Sequence, residues 1–168
     1  MTEQLAGWFV NNLGDVLRPE VIVFIVSLLP ILELRGGILV GFLLGMDLLP
    51  SFIIAFIGNI IPVPFILMFI KFIFKKLKKT RMKGFIEKIE NKAMSKSDQI
   101  QKYAYLGLFL FVGIPLPGTG AWTGALVASL LDMKRSKALI SIFAGVLAAA
   151  TLVSLICYGF IDFLRFLI

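Results

Sequence analysis

The sequence predicts an all-α integral membrane protein built as an inverted repeat. Each half is read as a surface amphipathic helix, a re-entrant helical hairpin and one transmembrane helix. Three observations lead there. First, 59% of the 168 residues are hydrophobic and the mean hydropathy is +0.96, whereas soluble chains run at about 45–50% apolar. Second, the basic residues gather at 71–102 and 132–137. Third, two apolar stretches, 21–46 and 103–131, are each broken at the middle by Pro and Gly.

Residues 71–102 hold ten Lys and one Arg against Glu87, Glu90 and Asp98. The positive-inside rule places this loop in the cytoplasm. Within it Met82, Phe85, Ile86, Ile89 and Ala93 recur at helical spacing, which describes an amphipathic helix on the inner membrane surface. A solvated helical hairpin is the alternative. Residues 51–70 form an apolar run of twenty, long enough to span ~30 Å of hydrocarbon. It runs from outside to inside, with kinks expected at Pro62 and Pro64. Residues 138–160 form a second span, leaving the basic cluster at 132–137 and running outward.

Residues 103–131 begin and end next to cytoplasmic charge, so they cannot be a single span. Pro115, Pro117, Gly118 and Gly120 break the centre. A hairpin that turns near the midplane satisfies both ends, because a dozen residues per arm reach about halfway across. The same logic makes 21–46 a hairpin broken at Pro30 and "RGG". Ahead of it, Leu5, Trp8, Phe9, Leu13, Val16 and Leu17 form an amphipathic stripe with Trp8 as interfacial anchor. The division is therefore one membrane domain, 1–168: a first repeat at 1–70, the basic loop at 71–102 and a second repeat at 103–168. An offset of 85 matches Pro30 to Pro115, Asp47 to Asp132 and Ser51 to Ser136; an offset of 83 matches Gly37 and Gly41 to Gly120 and Gly124. A unit with one crossing, repeated once, must invert, as in secondary-transporter folds. Four simple spans would instead leave Lys134, Arg135 and Lys137 outside.

Several function classes are excluded by what is absent. The chain has no His, the commonest metal ligand and general base. No metal spacing, phosphate loop or nucleophile–base pair occurs, so neither enzymatic activity nor a cofactor or metal is expected. The lone Cys157 lies in an apolar run and reads as a buried thiol. The net charge of +7 is explained by anionic lipid head groups rather than nucleic acid. Residues 1–20 carry Glu3, Asp15, Arg18 and Glu20, so no signal peptide is expected there.

The stretch "PILELRGGILVG" (30–41) carries Glu33 and Arg35 in apolar surroundings. A charge at the bilayer centre costs roughly 2.5–3.5 kcal/mol. A hairpin tip accounts for both, because irregular backbone at depth must be buried in protein or line a hydrated cavity. Arg35, followed by Gly36, offers a planar fork suited to phosphate or carboxylate. Glu33 can steady Arg35, or take up a proton where water is excluded. The second tip offers Gly118, Thr119 and Gly120 at a helix start, which favours anions. An ion pair that only locks the hairpins together is the other reading. Trp122 and Asn59 are read as packing or substrate contacts. Gly37, Gly41 and Gly45, like Gly120, Gly124 and Ala128, are read as close helix packing. Asp47 and Asp132 are read as helix caps.

The motifs "LPILELRGGI" (29–38) and "GIPLPGTGAWTG" (113–124), separated by a span and a basic loop, resemble the small multi-drug export protein family. That family is in turn similar to the DedA, or VTT-domain, superfamily. The resemblance implies two opposed re-entrant hairpins, an acidic residue matched here by Glu33, and transport of lipid phosphates or proton-dependent drug tolerance. The second-half tip arginine of that pattern is absent, since Arg135 lies in the basic cluster. The leading expectation is a small transporter or flippase for an anionic amphiphile, a lipid phosphate such as undecaprenyl phosphate. A proton-coupled multidrug exporter and a non-transporting membrane scaffold are the alternatives. The expected setting is a prokaryotic plasma membrane, multi-pass, with lipids as partners and a homodimer shielding the hairpins.

Overall fold

The computed structural model describes residues 2–13, 17–95, 100, 103–116 and 118–159. Among these residues there is no strand. The helices are α1 (Thr2–Leu13), α2 (Pro19–Leu28), α3 (Glu33–Leu43), α4 (Leu48–Ile60), α5 (Pro62–Leu77), α6 (Lys83–Met94), α7 (Ala104–Gly113), α8 (Ala121–Leu130) and α9 (Arg135–Cys157). The chain divides into two compact units: Met1–Ile61 with Val146–Ile168, and Pro62–Gly145.

In the first unit, Pro19 opens α2 at a position where its missing N–H is no loss. Pro30 ends the helix, because the residue before a proline is pushed out of the helical region; Leu29 is extended, at φ −76° and ψ 135°. After the turn at Pro30–Leu32, α3 runs to Leu43 and closes in a Schellman motif. There the Met46 N–H donates to the Gly41 carbonyl at 2.9 Å and the Gly45 N–H to Phe42 at 3.0 Å, with Gly45 at φ 72°. α2, α3 and α4 pack mutually along small residues. A Cβ on Gly37 would collide with the Ser27 hydroxyl, one on Gly41 with the Ser51 hydroxyl, and one on Gly58 would lie 2.9 Å from the Phe24 carbonyl oxygen. Gly45 does not belong to that seam: a Cβ there would meet nothing, and its task is the left-handed turn.

The second unit repeats this packing. A Cβ on Gly145 would lie 2.9 Å from the Phe109 carbonyl and 2.9 Å from the Val112 Cβ, as one on Gly58 would from Phe24 and the Ser27 Cβ. Gly124 meets Val112 where Gly37 meets Ser27. α8 ends with the same hydrogen bonds, Met133 N–H to Ala128 at 3.0 Å and Asp132 N–H to Ser129 at 3.2 Å. The first arms therefore match at an offset of 85 and everything after the tips at 87, so the second tip is longer by two residues. This corrects the sequence alignment of the glycines: Gly37 pairs with Gly124, not Gly120. It also corrects Asp132, which is not a helix N-cap. It takes the place of Gly45, in left-handed backbone at φ 55°, and binds Lys71 at 2.6 Å. Asp47 does hold the N-cap position of α4, but makes no side-chain capping bond.

Among the described residues, two helical stretches are long and apolar enough to cross a membrane: Leu48–Leu77, 30 residues, and Arg135–Cys157, 23 residues. The first contains a step at Ile61, immediately before Pro62, as expected where a residue without an N–H follows. Large apolar side chains stand exposed along both, among them Ile53, Ile57, Phe65 and Phe72 on one and Ile140, Phe143 and Leu155 on the other. Faces of this extent are what lipid covers. The short helices α2 and α7, at 10 residues each, are about 15 Å long, half the hydrocarbon thickness. In the basic loop α6 forms as the spacing predicts. Its apolar stripe is divided: Ile86 and Ala93 are buried, whereas Met82 and Phe85 are exposed. Of the N-terminal stripe, Val16 and the side chains of Leu5 and Leu13 lie outside the described residues.

Candidate functional site

The first tip is built by the proline that ends α2 and the helix start that follows. The Glu33 N–H donates to the Leu29 carbonyl at 2.9 Å and the Gly36 N–H to Leu32 at 2.9 Å. These bonds fold Pro30, Ile31 and Leu32 into a tight turn. Gly36 is needed there, because a Cβ on it would lie 2.7 Å from that of Leu32. Glu33 is the first residue of α3 and is only 6% exposed. Its backbone is left-handed at φ 50°, a conformation costly for a residue with a Cβ. A carboxylate at this place faces the positive end of the helix dipole. Arg35, half-buried, is two residues on, and the Glu33 charge acts on it. The tip therefore holds a buried acid and a half-buried arginine.

Asn59 belongs to the same unit. Gly37 packs on Ala55 and Gly41 on Ser51, four residues apart on each antiparallel helix. Asn59 lies one further turn along α4 in that direction. Asn59 is 2% exposed and its Oδ1 has no hydrogen-bond partner among the described residues. The same holds for the buried hydroxyl of Ser154. Nothing in the hydropathy pattern marks these two atoms, since both sit in apolar runs. Another feature is invisible in the sequence: Trp8 and Phe9 of α1 border one cleft of about 440 Å³ with Leu29, Pro30, Ile31 and Leu32. Phe42 of α3 packs edge-on against Tyr158 at 5.2 Å. The Tyr158 hydroxyl donates to the Met46 carbonyl at 3.1 Å.

The second tip is a different construction. Pro115 lies in the turn after α7; Pro117 lies outside the described residues. The Thr119 hydroxyl is directed at the carbonyls of Leu116, 2.8 Å, and Ile114, 3.0 Å. Gly118 and Gly120 have positive φ, 74° and 149°, and buried Gly120 is the N-cap of α8. Trp122 follows in the first turn, half-buried. Tyr103, Gly107, Leu110, Phe111, Ile114, Leu116 and Thr119 line a cleft of about 330 Å³ beside this tip. Of the residues singled out from sequence, Pro30, Glu33, Arg35, Gly36 and Asn59 thus fall in one unit, and Pro115, Gly118, Thr119, Gly120 and Trp122 in the other. Among the described residues no group of His, Cys, Asp and Glu could hold a metal ion.

Residues 33–152 match a protein family described as "Putative small multi-drug export protein". No curated protein matches the chain, and no solved structure does.

Proposed function

Because the chain belongs to the small multi-drug export protein family and is a membrane protein, we propose that it is a small transporter moving an anionic amphiphile past the Glu33–Arg35 tip. A lipid phosphate of the undecaprenyl phosphate kind is the substrate class this reading favours. The observation that carries it is the tip itself: a buried acid in strained backbone beside a half-buried guanidinium. Left-handed backbone is costly for a residue with a Cβ, and strain of this kind gathers at functional sites. Arg35 presents a planar five-donor fork, the side-chain geometry that suits a phosphate. The short helices α2, α3, α7 and α8 are read as re-entrant hairpins, the repeat as inverted, and 71–102 as cytoplasmic in a prokaryotic plasma membrane, with a homodimer covering the hairpins.

A second reading follows from Glu33 alone and from the family's description. A carboxyl 6% exposed can exchange a proton against a cationic drug, which makes proton-coupled export the competing mechanism. The two are separated in proteoliposomes. Movement of a fluorescent alkyl phosphate between leaflets, independent of a pH gradient and lost in Arg35→Ala, supports the first. Accumulation of a cationic dye driven by an imposed pH gradient, lost in Glu33→Gln and retained in Arg35→Ala, supports the second and removes the first.

A further inference from the structure

The cleft beside the first tip is walled by Trp8, Phe9, Leu29, Pro30, Ile31 and Leu32 and holds about 440 Å³. Small-molecule sites run at roughly 300–1,000 Å³. Its lining side chains are hydrocarbon and aromatic, so it has nothing with which to recognise a charged head. What it has is position. The wall formed by Leu29–Leu32 is the stretch that leads into Glu33, the first residue of α3, and Arg35 follows two residues later in that helix. α1 packs on α3 and brings Trp8 and Phe9, edge-on at 5.3 Å, to the far side.

We infer that this cleft receives the alkyl or prenyl chain of an anionic amphiphile whose head is held at Arg35. The inference rests on the transport reading above and adds the place of the chain. Lipid tails are as apolar as the cleft, so a chain gains little by leaving the bilayer. Selection comes instead from the rigid walls, the pyrrolidine of Pro30 and two fixed rings, and from the charge anchored at one end. A molecule with both parts is retained; a chain without the charge is exchanged with bulk lipid.

Trp8 reports on the cleft directly. The chain has two tryptophans, so Trp122→Phe isolates the Trp8 emission; the difference between the native chain and Trp8→Phe gives the same signal should Trp122→Phe not fold. In nanodiscs of neutral lipid, dodecyl phosphate brominated along its chain is expected to quench Trp8 saturably. Unlabelled dodecyl phosphate should reverse the quenching, and butyl phosphate at equal concentration should not. Ile31 is 62% exposed, so Ile31→Phe narrows the cleft without entering the core and should weaken quenching about tenfold. Quenching that rises without saturation, or is unchanged in Ile31→Phe, means bulk lipid fills the cleft and overturns the inference. Calorimetry with butyl phosphate separates the two claims. Phosphate binding lost in Arg35→Ala without any saturable Trp8 response keeps the head site and removes the cleft. Equal saturable quenching by a brominated dodecyl glycoside, indifferent to Arg35→Ala, removes the anionic head and with it the inference.

Discussion

Glu33 stands in the first half of the chain where the second half has Gly118. Both are left-handed, at φ 50° and 74°. In the register that holds from α3 onward Glu33 falls against Gly120 instead, at φ 149°, so the second half has a glycine in either register. A side chain in this backbone costs about 1–2 kcal/mol relative to glycine, so the first tip keeps a glutamate at a place where glycine is easier. In Glu33→Gly that relief should offset much of what losing the carboxylate beside Arg35 costs, leaving the melting temperature within about 4 °C of the native chain, while transport in proteoliposomes falls to background. A loss of many degrees would show that Glu33 holds the fold together and that its charge is structural.

The helix seam yields a second contrast. Gly58 faces a backbone carbonyl, Phe24, at a built Cβ distance of 2.9 Å. Backbone cannot rotate away as a flexible side chain does, so Gly58→Ala overpacks the α2–α4 contact and should cost about 1–3 kcal/mol. Gly145→Ala faces Phe109 in the same way and should behave alike. Gly84, in α6, has nothing near it, and Gly84→Ala should stabilise by about 0.5–1 kcal/mol. Unfolding of the three variants in the same detergent gives the order directly. Equal stability of Gly58→Ala and Gly84→Ala would contradict the seam.

Asp132 takes the left-handed position that Gly45 takes in the first half, and its carboxylate meets Lys71. The pair is exposed, 85% for the Asp132 side chain, so its net worth is small. Asp132→Gly relieves the backbone while losing the pair and should be within about 0.5 kcal/mol of the native chain. Asp132→Ala loses the pair and keeps the strain, and should cost about 1 kcal/mol more. A large loss in Asp132→Gly would mean that the Lys71 contact does more than an exposed pair can.

How much of this was legible follows from what periodicity records. Pro30 and the glycines beside Arg35 mark the first tip because they break an apolar run, and the long apolar stretches predict the helices at 48–77 and 135–157. Local pattern does not carry partner choice. Gly37 and Gly124 both lie every fourth residue from other small residues, so their pairing was ambiguous until Ser27 and Val112 were seen against them. The C-cap role of Asp132 was hidden because aspartate is a common N-cap, and only the Met133–Ala128 bond distinguishes the two ends of a helix. The unpaired Oδ1 of Asn59 and the approach of Trp8 to Leu29–Leu32 depend on long-range packing, which single-residue patterns do not encode.

The orientation in the membrane is tested by labelling. Ser95, at the end of α6, and Ser136, at the start of α9, are exposed and flank the two basic clusters. In a Cys157→Ser background, Ser95→Cys and Ser136→Cys should react with a membrane-impermeant thiol reagent only from the cytoplasmic side. Reaction of Ser136→Cys from outside would leave 103–131 as a full crossing and remove the re-entrant reading of α7 and α8.

The charge pair itself decides between an anion site and a structural lock. Arg35 is half-buried while Glu33 is buried, so the two do not contribute symmetrically. Arg35→Ala should abolish transport of an alkyl phosphate while the protein still folds. Arg35→Lys keeps the charge but replaces a planar five-donor fork by a compact ammonium, and should recover only a minor part of the rate. The exchange Glu33→Arg with Arg35→Glu keeps both charges and the possibility of their pairing. It moves the guanidinium into the buried left-handed position and the carboxylate to the accessible one, so an anion would meet the wrong charge. Folded but inactive protein is the expected result, read as normal yield and melting with background transport. Full activity in the exchanged protein would show that the pair only fastens the tip, and the anion site would have to be sought elsewhere.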